Sequence, residues 1–105
     1  MKIQIEGEKL EFEIKNFNSK SRIHFILKGI HGAVVISYWS YLNSLDLNIH
    51  SKKPLREDHK TDGEICEYIN APCYCDGRYL NKSVDEVDFL QVLKNEYNYI
   101  KRATK

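Results

Sequence analysis

Neither sign of charge is in real excess in this chain: Lys and Arg number 16 against 15 acidic residues, a net charge of +1. So even a balance gives no general field for nucleic acid or an anionic membrane, and a DNA mimic would be far more acidic. No apolar run approaches membrane-spanning length, and no charged, apolar and small-residue leader stands at Met1. Cysteine is scarce and odd in number, three in all, which argues against a disulfide framework and for a reducing, cytoplasmic location. There are only two prolines, and no repeat, low-complexity tract or linker, so residues 1–105 read as one domain. Also absent are a nucleophile elbow, a glycine-rich phosphate loop, a two-histidine helix motif and a paired-carboxylate signature. The expectation is a protein that is not an enzyme and carries no cofactor.

What is present is organised around Ala33 to Leu42, the most apolar, β-branched and aromatic stretch. It reads as a central strand, with Val34, Ile36 and Tyr38 on one face and Val35, Ser37, Trp39 and Tyr41 on the other. Two hairpins precede or include it. In the first, Gly7-Glu8 as the turn sets Ile5 against Leu10, Ile3 against Phe12 and Lys2 against Glu13, so apolar and charge pairings agree. In the second, Gly29-Ile30-His31-Gly32 turns the chain and Lys28 pairs with Ala33, which sets Leu27 against Val34, Phe25 against Ile36 and Ile23 against Tyr38. The face carrying His24, Ile26, Val35, Ser37 and Trp39 is mixed, and is either covered by later chain or offered to a partner.

Leu45 to His50 alternates as a short fifth strand. From Lys52 to Leu80 the pattern predicts a long irregular loop, with Asp76-Gly77 as a turn. Ser83 to Lys101 reads as a helix: Ser83 and Glu86 form a capping box, and Val84, Val87, Leu90, Leu93, Tyr97 and Ile100 form one stripe that Phe89 widens. The predicted fold is α+β, an antiparallel sheet of four or five strands with one C-terminal helix across it.

Three chemistries compete for the loop. His50, His59, Cys66, Cys73 and Cys75 are zinc-ligand types, and His50, His59, Cys66 and Cys73 are the set a metal would use. Their spacing lacks the close pairs of structural zinc sites, so no metal is expected. Cys73 could serve as a thiol nucleophile with His50 or His59 as base, without local support. The aromatic residues suit base stacking or a protein interface, and the mixed charge around Lys52, Lys53, Arg56, Lys60 and Arg78 weakens the nucleic-acid and nucleotide version. The favoured partner-binding set is Trp39, Tyr41, Tyr68 and Tyr74 rimmed by Lys52, Lys53 and Arg56, large anchors with a polar border.

His31-Gly32-Ala33-Val34, then Asp46-Leu47 with His50-Ser51 and Pro54, then Cys66, then Pro72-Cys73-Tyr74 with Asp76-Gly77 and Leu80, resemble a family of small uncharacterised phage and prophage accessory proteins. The resemblance spans Gly29 to about Tyr97. In that family the segment matching Cys73 to Gly77 tends to read Cys-Tyr-Tyr-Asp-Gly, and Cys75 departs from it. No activity is implied. The resemblance implies instead an accessory protein in the host cytosol that acts by binding a host protein, for example as an inhibitor of a defence system such as CRISPR.

Overall fold

The computed structural model describes residues 2–5, 7–16, 20–40, 44–53, 60–61, 73–79 and 87–103. They form an α+β domain with one antiparallel sheet and a C-terminal helix. The strands are β1 (Lys2–Ile5), β2 (Glu8–Lys15), β3 (Arg22–Gly29), β4 (Gly32–Trp39), β5 (Ser44–Ser51), β6 (Lys60–Thr61) and β7 (Cys73–Tyr79), and the helix α1 is Phe89–Ala103. The seven strands lie in the order β1-β2-β3-β4-β5-β7-β6, each antiparallel to its neighbours.

The second hairpin has the expected register, with Lys28 opposite Ala33, Leu27 opposite Val34, Phe25 opposite Ile36 and Ile23 opposite Tyr38. The first is shifted by two residues: Ile3 faces Leu10, Lys2 faces Glu11 and Ile5 faces Glu8, not Phe12, Glu13 and Leu10. A two-residue slip returns every side chain to its own face, so alternation alone cannot separate the two registers. Glu8 separates them, because it is a strand residue and not half of a turn. Gly7 takes the left-handed conformation at φ 84, which a glycine adopts without strain.

The expected irregular stretch from 52 to 80 is corrected at its end. Cys73–Tyr79 is a strand, with Ile49 opposite Asp76 and Asn48 opposite Gly77, so Asp76-Gly77 is not a turn. Cross-strand pairing with β5 overrides the local preference of that dipeptide. The two-residue β6 adds Lys60 opposite Tyr74 and Thr61 opposite Cys73.

The helix begins later than the periodicity predicts. Val87 and Asp88 precede it, and the Gln91 N–H donates to Asp88 Oδ1 at 3.1 Å, which makes Asp88 the N-cap with Gln91 at the third helical position. The proposed cap at Ser83 lies outside the described residues. Leu93, Tyr97 and Ile100 of the stripe are fully buried and pack with Leu10, Leu27, Val34, Ile36, Leu45, Leu47 and Ile49. At roughly 1.5–3 kcal/mol for each large side chain removed from water, this stripe is what holds the helix on the sheet. Its first residue, Phe89, stacks on Phe25 with ring centroids 4.5 Å apart.

Near its last turn the helix is tied to the first hairpin. The Tyr97 hydroxyl donates to Glu8 Oε1 at 2.7 Å and accepts the His31 N–H at 3.2 Å. The Ile30 N–H also donates to Glu8 Oε1, at 3.2 Å, and Lys101 Nζ lies 3.6 Å from Glu8 Oε2. Burial is the main reason the Tyr97 hydroxyl is held well above its ordinary pKa. Gly29 makes room for this knot: a Cβ there would collide with the Tyr97 hydroxyl and with Leu10 Cδ2.

The opposite face is also closed at its centre, where Ile26, Ala33, Val35, Ser37 and His24 are buried. The idea that 65–77 folds over it rests largely on residues outside the described set. Toward the β2 side the same face carries charge, with Lys15 3.3 Å from Glu13 and Lys28 3.8 Å from Glu11.

Candidate functional site

The sheet has two ends, and the sequence-predicted binding residues divide between them. β4 runs from Gly32, opposite Ser51, to Trp39, opposite Ser44. Trp39 therefore stands at one end, while Lys52 and Lys53, both exposed, follow Ser51 at the other. Seven residue steps of strand separate those ends by about 23 Å, at roughly 3.3 Å per residue. Tyr74, in register with Ser51, belongs to the Lys52 end. Trp39 is thus not brought together with Lys52, Lys53 and Tyr74, because β5 antiparallel to β4 carries them away from it. Tyr41, Tyr68 and Arg56 lie outside the described residues.

At the Trp39 end, the register pairs Arg22 with Trp39, and cross-strand partners of this kind share one face. The Arg22 guanidinium lies over the indole, 4.0 Å from the ring centroid, a cation–π contact. Trp39 Nε1 donates to Asp46 Oδ2 at 3.1 Å, which fixes the ring in place. Two buried atoms beside it, Arg22 Nε and Asp46 Oδ1, have no hydrogen-bond partner among the described residues.

The helix face at this end was expected to be core throughout, and at its β2–β3 corner it is not. Ile14 is 58% exposed and Ile23 is 42% exposed. They are close neighbours, since Ile14 pairs with Phe25 and Phe25 is two residues from Ile23 on β3. The physical reason is the late helix start. Phe89 covers Phe25, and Ile14 and Ile23 lie beyond it. Ile30, 71% exposed, is at the far end in the β3–β4 turn.

A serine–histidine pair also occurs, which the sequence pattern did not single out. His24 Nδ1 and Ser37 Oγ share a hydrogen bond of 2.6 Å, because the two residues are register partners. Both are buried, at 4% and 1% exposure, so the serine has no access to a substrate. Asp46, opposite Ser37, is engaged by the Trp39 indole. The arrangement is a satisfied core hydrogen bond.

Three of the candidate metal and thiol residues, His50, Cys73 and Cys75, lie on the neighbouring strands β5 and β7. His50 pairs in register with Cys75 and Cys73 with Thr61, whereas His59 and Cys66 lie outside the described residues. Burial, and secondarily the charge of His24, lowers the His50 pKa to about 4. Among the described residues no group of three His, Cys, Asp or Glu side chains is placed to hold a metal ion. Nor, among them, is any helix long and apolar enough to cross a membrane.

Comparison with protein-family models, with curated proteins and with solved structures finds no match to this chain.

Proposed function

We infer that the chain is a binding protein, an accessory factor of phage type that acts by engaging a host protein. The observation that carries this reading is the pair of exposed neighbouring isoleucines, Ile14 and Ile23, at the same end of the sheet as the Arg22–Trp39 stack. Two large aliphatic side chains left adjacent in solvent form an apolar patch of the kind that marks an interaction site. Trp39, the other candidate anchor at this end, lies on the opposite face of the sheet from the two isoleucines. Lys52, Lys53 and Tyr74 belong to a separate region. The resemblance to small phage and prophage proteins supports a host target, with inhibition of a defence system such as CRISPR as its specific form.

The test is substitution of both isoleucines. Ile14→Asp with Ile23→Asp should abolish binding to the host protein captured by the wild-type chain, with the melting curve shifted far less than by a core substitution, because Ile14 is 58% and Ile23 42% exposed. Undiminished binding would place the interface elsewhere. A plasmid-interference assay with and without the chain then checks the CRISPR form.

A further inference from the structure

We propose that the protein partner supplies an extended strand that pairs with β2 at Ile14, joining the sheet just past the end of β1. This rests on the protein-binding reading above and adds the form and the side-chain order of what is bound. Gly29 and Gly32 close the Ile30-His31 turn as a hydrogen-bonded pair, and such pairs alternate along an antiparallel ladder. So Leu27, Phe25 and Ile23 bond to β4, whereas Lys28, Ile26 and His24 bond to Glu11, Glu13 and Lys15 of β2. The backbone groups of Leu10, Phe12 and Ile14 therefore face the β1 side. β1 meets Leu10 through Ile3 and ends with Lys2 opposite Glu11. Among the described residues nothing stands across from Ile14 on that side, and its outward N–H and C=O have no partner.

This is an open sheet edge of the kind that accepts another strand. Edges are ordinarily blunted by proline, a bulge or inward-pointing charge; the residue at this opening is an exposed isoleucine. An incoming residue opposite Ile14 exchanges both N–H···O bonds with it and lays its side chain on the face that holds Ile14 and Ile23. Its two neighbours fall on the other face, across from Glu13 and Lys15, in non-hydrogen-bonded pairs whose side chains come closest. Those two residues carry opposite charge, so an antiparallel strand that reads acidic, aliphatic, basic in chain order matches all three positions. A helical partner, its backbone already bonded along its own axis, covers the isoleucines but leaves this edge open.

The probe is the acetylated, amidated peptide Ser-Thr-Glu-Ile-Lys-Thr-Ser, added to isotope-labelled chain and followed by amide NMR. The expected result is a saturable shift centred on Ile14, with exchange of the Ile14 amide slowed at least about tenfold at saturation. Methylating the backbone nitrogen of the peptide isoleucine removes one ladder donor and should weaken binding at least about fivefold. Replacing the peptide Glu by Lys sets like charge across from Lys15 and should weaken it about threefold, and Lys15→Glu should reverse that preference. Equal binding of the methylated peptide would overturn the proposal, as would a preference of the unaltered chain for Lys over Glu. A free chain that is dimeric by sedimentation and already protected at the Ile14 amide would also overturn it, because a second copy would then fill the edge through its own Glu13-Ile14-Lys15. If Ile14→Asp with Ile23→Asp abolishes capture of the host protein while the Ile14 amide exchanges freely in the complex, strand addition fails and the protein-binding reading stands.

Discussion

Tyr97→Phe removes one oxygen from the point where the helix is tied to the first hairpin. Glu8 Oε1 loses its 2.7 Å donor and keeps only the Ile30 N–H at 3.2 Å. The His31 N–H loses its acceptor as well. A hydrogen bond to a carboxylate contributes roughly 1.5–3 kcal/mol, and a stranded donor adds about 1 kcal/mol, offset where water enters. The ring itself remains, so no cavity term applies. The expected loss is about 2–3 kcal/mol, read from urea unfolding at neutral pH with an unchanged slope. Glu8→Gln is the companion measurement. It keeps an acceptor for Tyr97 and Ile30 and gives up only the 3.6 Å contact with Lys101, so about 1 kcal/mol is expected. A Tyr97→Phe cost below about 0.5 kcal/mol would refute the view that this knot ties the helix to the first hairpin.

Leu93 is fully buried, so Leu93→Ala should cost about 2–5 kcal/mol in the same melts, and less than about 1 would mean that the helix stripe is misplaced. The His50 pKa is depressed to about 4 in the folded chain, so the unfolded chain binds the proton first as pH falls below about 6.5. Stability should drop progressively from there to about pH 4, by on the order of 3 kcal/mol, and the difference between wild type and His50→Gln should isolate that drop from carboxylate titration. Identical pH dependence in the two would contradict a buried, neutral His50. Purified protein is expected to carry no stoichiometric metal and to melt at the same temperature with EDTA, whereas one zinc per chain by elemental analysis would contradict this.

The second hairpin was legible to the residue, because Gly29 to Gly32 left one turn and apolar pairs on both sides of it. The first was legible only modulo two, since Ile3 and Ile5 satisfy either register. β7 escaped notice because Asp76-Gly77 reads locally as a turn, and only pairing with β5 makes it strand. The helix start was readable in Asp88 and Gln91, but Ser83 and Glu86 offered the same signal five residues earlier. That error hid the candidate surface: a longer helix would be expected to cover Ile14 and Ile23. Arg22 gave no signal as the first residue of a strand, and it gains meaning only from lying across from Trp39.

Photocrosslinking in host cells tests most directly which end of the sheet binds. A benzophenone amino acid placed at position 14 or 23, in separate chains, should yield one discrete host adduct, and the same group at position 52 should yield none. An adduct from position 52 with silence at 14 and 23 would contradict the proposed interface and return it to the Lys52, Lys53 and Tyr74 end.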